Sequence, residues 1–171
     1  VAGEKTLLHV SAQGQILLKW TSSQNIQAIG LDPDQSLWVL TQNGLTLLSV
    51  AGAVLTSLAL PAALVPDPDL LAVDGLGGYL WVAGKKTLVR FDANDLSKAP
   101  IAAALPAAVN GTNNKLEALL IHPLFGTVWA GGSDTLLLYD RDASLVRQVG
   151  LGSYALGNLQ AIAYGPGSAS L

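Results

Sequence analysis

Residues 80–92 read LWVAGKKTLVRFD, and residues 37–49 read LWVLTQNGLTLLS. Both hold a tryptophan-bearing apolar run, a polar break and a second apolar run. A third copy, VWAGGSDTLLLYD, stands at 128–140. The chain opens on VAGEKTLLHVS (1–11), the same phrase without its leading Leu-Trp. Each run is short, rich in Val, Thr, Leu and aromatics, and bounded by Gly, Asn or Asp. Those features mark strands joined by tight turns.

Outward from this phrase the repeat extends in both directions. Before each copy lies a segment centred on alanine: Ile26-Gln-Ala28-Ile-Gly, Leu70-Leu-Ala72-Val-Asp and Leu116-Glu-Ala118-Leu-Leu, with a fourth at Leu159-Gln-Ala161-Ile-Ala. Their alanines are 44, 46 and 43 residues apart. Turns rich in Asp, Pro and Gly join this strand to the tryptophan strand. After the phrase comes a fourth strand, as in Val54–Leu58 and Leu145–Val149. Four short strands per period of about 40–45 residues is the signature of a β-propeller blade. The expected fold is all-β: four-stranded antiparallel blades of about 43–46 residues. Three whole blades fall at 26–66, 70–109 and 116–151, with half-blades at 1–20 and 159–171. The Ala- and Leu-rich stretches 58–65 and 101–109 each contain proline and read as strand ends and loops rather than helices. Tryptophan at one repeated place is expected to fill the gap between blades, and the alanine of the first strand to suit the crowded channel.

The two half-blades are complementary: the carboxyl end approaches the tryptophan position, and Val1 aligns with the residue after it. Expected arrangements are a four-bladed ring closed by its own ends, two copies completing an eight-bladed ring, or part of a longer propeller. An absent methionine favours a processed chain or a fragment.

Composition narrows the function. Half of the 171 residues are hydrophobic and 12% are charged, which suits sheets covered on both faces. No run reaches the roughly 18–20 apolar residues of a membrane span. The net charge of −3 and the lack of a basic patch argue against a nucleic-acid partner. There is no cysteine, so thiolate metal sites, disulfides and a cysteine nucleophile are excluded. Its absence, common in exported bacterial proteins, leans toward a periplasmic or extracellular setting.

The phrases at 37–49 and 80–92 resemble the Leu-Trp-Val/Ile-x-Thr-x-x-Gly-Leu repeat of sensor-type, two-component-regulator propellers of bacteria. They are also similar to the looser repeats of NHL, streptogramin-lyase and gluconolactonase-like propellers. The Trp-Asp and Gly-His signatures of WD repeats and the double glycine of kelch repeats are absent. The resemblance implies fold more than task. Lactonase-like members hold a channel metal on Glu, Asn and Asp, and lyases use a channel histidine. Here the inner strands offer only Asp74 and Glu117 as acids, and His9 and His122 lie in no corresponding motif.

The remaining candidates read as follows. Asp92-Ala-Asn-Asp95 and Asp140-Arg-Asp142 are paired acids that suit turn chemistry better than calcium. Asp67-Pro-Asp69 is a proline-stiffened connector between blades. Gly75-Leu-Gly77-Gly78 is a hairpin turn, since no helix follows it to make a phosphate cradle. Asn110-Gly-Thr112 is a formal glycosylation sequon. The polar turns between second and third strands, with the inter-blade loops, form the expected ligand face: Lys5, Asn43, Lys85, Lys86, Asp134, Asn114 and Tyr154. Mixed charge there fits a protein or carbohydrate partner. The expectation is a non-catalytic protein-interaction or ligand-sensing module with no cofactor or metal. Its ring is completed by further blades of a longer chain or by a second copy. The competing expectations are part of a propeller enzyme with catalytic residues in other blades, and a structural or designed scaffold.

Overall fold

The structure, a computed structural model, describes residues 4–106, 115–132, 134–151 and 161–163. Among these are fourteen strands and no helix. The first two, β1 (Thr6–Val10) and β2 (Ile16–Thr21), form a two-stranded sheet. Three four-stranded antiparallel sheets follow, each paired in sequence order. The first holds β3 (Ile26–Leu31), β4 (Leu37–Thr41), β5 (Gly44–Leu48) and β6 (Val54–Ala59). The second holds β7 (Pro68–Asp74), β8 (Tyr79–Gly84), β9 (Thr87–Asp92) and β10 (Ile101–Ala102). The third holds β11 (Leu116–Ile121), β12 (Val128–Gly132), β13 (Thr135–Tyr139) and β14 (Leu145–Gly150). These are the blades of a β-propeller, and β1–β2 supply the third and fourth strands of another. The half-blade expected at 159–171 falls mostly outside the described residues, as does the sequon at Asn110.

The first strands β3, β7 and β11 lie side by side. They are the inner ends of successive blades. The alanines Ala28, Ala72 and Ala118 sit on them at this crowded position; Ala28 and Ala72 pack against the inter-blade cores, and Ala118 is buried. The tryptophans fill the gaps as the repeat implies. Trp38 packs among Leu80, Val82 and Val89 of the next sheet, and Trp81 among Leu116, Val128 and Leu137 of the one after. Both indoles are fully buried, whereas Trp129 is half-buried. The second strands β4 and β8 are buried almost throughout, because neighbouring blades cover both their faces.

Antiparallel order gives the blades two faces. On the upper face the second strand turns into the third, and loops lead from each fourth strand to the next blade. On the lower face lie the first-to-second and third-to-fourth turns. Backbone bonds join successive blades at the upper face: the Ile26 amide donates to Glu4 O, and the Leu116 amide to Lys85 O.

Bulges shape the inner strand of each whole blade and the fourth strands other than the short β10. The extra residue falls at Gln27, Asp69 and Glu117 in the inner strands and at Leu17, Leu55 and Val146 in the fourth strands. The fourth-strand bulges twist the open edge and turn two successive apolar side chains to solvent, Ile16-Leu17, Val54-Leu55 and Leu145-Val146. Apart from Ile29 in mid-strand, every exposed large hydrophobic among the described residues lies on the lower half of a blade or in a lower turn.

In two places the strands differ from the sequence expectation. Strand β7 begins at Pro68, so Asp69 belongs to an inner strand and not to the connector. Proline fits there as a first residue, where its missing donor is not needed. Strand β10 has only two residues, because residues 93–100 form a turn-rich insertion.

Candidate functional site

Lys5, Asn43, Lys86 and Asp134 occupy one repeat position, the second residue of the turn between second and third strands. Lys85 precedes Lys86 and is equivalent to Glu4 and Gln42. All of these are exposed on the upper face. Their placement follows from the hydrogen-bond ladder. The residue just past each fourth strand donates back to the turn: Ser22 N to Lys5 O at 2.8 Å, Leu60 N to Asn43 O at 2.9 Å and Leu151 N to Asp134 O at 2.6 Å. In the second sheet the short β10 shifts this bond, and Ala103 N donates to Leu88 O instead. The backbone of the turns is thereby tied into the sheets while the side chains stand in water. Asn114 and Tyr154 lie outside the described residues.

A polar cluster surrounds Lys85. Its amine stands 3.6 Å from Asp67 Oδ2, and the Gln42 amide nitrogen donates to Asp67 Oδ1 at 3.3 Å. Asp67 holds φ of 47°, a left-handed conformation that aspartate tolerates in turns. Beside it Asp69 is half-buried, and its Oδ1 is enclosed without a hydrogen-bond partner. Desolvation pushes the Asp69 carboxyl up, against the opposing pull of the Lys115 and Lys85 charges. Lys115 also meets Glu117 at 3.4 Å, with the glutamate side chain almost covered. The bulges at Asp69 and Glu117 bring these acids toward the upper ends of their strands.

A cavity of about 580 Å³ opens between β2 and the first whole blade. Its wall includes Trp20, Ser22, Gln24, Asn43, Thr46 and Ser57. Gln24 Oε1 is buried there without a partner.

The other sequence candidates resolve into turn chemistry. Asp92 Oδ1 accepts the amides of Asn94 and Asp95, and Asp140 Oδ1 those of Asp142 and Ser144. The amides of Leu124 and Phe125 donate to His122 Nδ1, so this ring caps its own turn. His9 is exposed on β1. Residues 75–78 form the hairpin turn between β7 and β8. Among the described residues no three His, Asp or Glu side chains are grouped to hold a metal ion. No helix among them is long and apolar enough to cross a membrane.

One contact was not readable in sequence. Arg141 Nε donates to Asp74 Oδ2 at 3.0 Å across 67 residues, joining the second and third blades on the lower face. Asp74 is 2% exposed and also accepts the Gly77 amide. Asp74, named in the sequence only as an inner-strand acid, serves as a blade-to-blade tie.

No family model and no curated protein matches the sequence. Solved structures do. The chain superimposes on the Cps50 (Swd1) beta-propeller domain of Myceliophteria thermophila with a TM-score of 0.71, at 13% identity over 92% of this chain and 52% of that one. It matches the virginiamycin B lyase of Staphylococcus aureus with a TM-score of 0.65, at 14% identity over 85% of this chain and 48% of that one. A chain of a mitotic checkpoint complex gives a TM-score of 0.68 at 14% identity, over 88% of this chain and 46% of its own length. The chain thus spans about half the length of each. At such identities the likeness establishes fold alone, and the fold it establishes is the β-propeller.

Proposed function

We propose that this chain is part of a non-catalytic propeller whose upper face binds a protein partner. The observation that carries the reading is the alignment of Lys5, Asn43, Lys85, Lys86 and Asp134 on equivalent turns, exposed along one face. Rigid strands hold such turns at fixed spacing, and side chains of both signs provide specificity through complementary charge. The propellers it resembles in structure include a chain of one complex and an enzyme, so fold does not choose between these tasks. The sensor-type and NHL-like kinship, the bacterial origin, an exported location and ring completion by further blades or a second copy belong to the same proposal.

The test is affinity capture with cross-linking, comparing the native chain with a variant carrying K5E, K85E, K86E and D134K. A partner retained by the native chain and lost by the variant supports the reading. Capture that is indifferent to the four substitutions refutes it.

The cavity beside Asn43 favours a second reading for that part of the face, a carbohydrate ligand. An aromatic ring beside hydroxyl and amide groups suits the apolar face and hydroxyls of a sugar. A glycan array read with the native chain and with Trp20→Ala checks this: a glycan bound by the first and not the second supports it, and no binding rejects it.

A further inference from the structure

On the lower face the inner strands and the turns that follow them carry exposed apolar side chains. Leu31 is 65% exposed, Leu76 70%, Leu124 66% and Phe125 61%. They belong to three successive blades, so no single loop accident explains them. Isolated exposed leucines are ordinary on a protein surface, but clustered ones mark contact sites.

The turns carrying them touch. A Cβ on Gly75 would collide with the Pro33 ring, and one on Gly126 would collide with Asp74 and the Arg141 side chain. Only glycine permits these approaches, so the turns of adjacent blades are packed into one continuous surface. The His122 cap fixes the last of them, with its ring stacked 4.5 Å from that of Phe125.

The surround is acidic. Asp34 stands exposed in the turn after Leu31, and Asp142 in the third blade is 89% exposed, with one oxygen 3.7 Å from Arg90 Nη1. The insertion bearing Asp95 adjoins Gly78, where the Ala93 amide donates to Gly78 O; its Asp92 is paired with Lys98 at 2.6 Å, which leaves Asp95 as the acid it adds. Hydrogen bonds from Ser36 hold the Asp34 carboxyl below its ordinary value, and those from Ser97 do the same for Asp95. Asp34 and Asp95 are therefore ionised at neutral pH.

We infer that the lower face is a second docking surface, fitting a protein segment that presents an apolar ridge flanked by lysine or arginine. The apolar tips receive the ridge, and the aspartates complement its charge and steer its approach. This surface lies opposite the one assigned to the proposed function and stands independently of it.

The probe is an 18-residue Lys/Leu amphipathic peptide, titrated calorimetrically into the whole chain beside a Glu/Leu twin. Saturable binding of the Lys/Leu peptide alone is expected. It weakens at least tenfold in the L76S/L124S/F125S variant and about threefold in D34N/D142N, whose amides preserve the turns. Lys19→Gln, on the outer strand β2, leaves it unchanged. Circular dichroism checks folding of the triple variant, and single Leu76→Ser, in an open turn, repeats the test if the triple variant unfolds. Equal binding of the Glu/Leu twin, or binding untouched by the apolar substitutions, overturns the inference. So does self-association abolished by the triple variant without any peptide binding, which would make a second copy the occupant.

Discussion

On the upper face the turn tips are Glu4-Lys5, Gln42-Asn43, Lys85-Lys86 and Asp134; on the lower face they include Leu76 and Leu124-Phe125. Both sets come from the same repeat and are held by the same strands. The upper turns are short, and their backbone bonds to the fourth strands leave long polar side chains in water. The lower turns are built by aspartate, histidine and glycine that hydrogen-bond their own backbone, and they lift apolar side chains outward. A propeller can therefore vary its two faces separately, because neither set of turns carries the core.

The largest expected effect comes from removing the wedge that both faces share. Trp81→Ala should cost about 3–5 kcal/mol, as the void between blades cannot collapse. Urea unfolding measures it, and loss of both faces together is expected.

Breaking a tie on one face separates them. Arg141→Ala leaves the Asp74 carboxylate buried with only the Gly77 amide. Removing one partner of a fully buried pair costs about 3–5 kcal/mol. Arg141 is 39% exposed, so about 2 kcal/mol is expected here. Hydrogen exchange should quicken in the lower turns 75–78 and 122–127 and stay unchanged in the turn at Lys85.

A smaller contrast lies between two tryptophans. Trp38 Nε1 donates to Asp32 Oδ2 at 3.2 Å, whereas Trp81 Nε1 is buried without a partner. Trp38→Phe should cost about 1 kcal/mol more than Trp81→Phe in the same unfolding assay.

The smallest effect belongs to the upper face. The Asp69 carboxyl is raised, so the folded chain holds its proton more tightly than the unfolded one. The stability it contributes is present at low pH and is lost as pH rises through the folded-state value. Asp69→Asn should therefore stabilise the chain at pH 7, by less than about 1 kcal/mol because the site is only partly covered. Near pH 3 it should have no effect. Thermal unfolding at both pH values checks the sign.

The strand order and the tryptophan wedges were legible because Trp38 and Trp81 recur with their neighbours at one period, and periodicity reports packing directly. The acids at 92–95 and 140–142 were legible as turns because aspartate bonds to the backbone two or three residues on. The Asp74–Arg141 tie was not, since nothing local pairs residues in different repeats. The bulges were equally hidden: an extra residue at Leu55 or Val146 looks like ordinary apolar strand until its partner skips it. For that reason the sequence pointed to the polar turns as the ligand face and passed over the apolar tips opposite.

The segregation of the two faces is tested most directly by paramagnetic broadening. The chain has no cysteine, so Lys85→Cys accepts a single nitroxide. A six-residue strand separates the faces by about 20 Å. Strong broadening of the Gln42, Asp67 and Lys115 amides is expected, with much weaker broadening at Leu76 and Leu124. Equal broadening of the two groups would contradict the segregation.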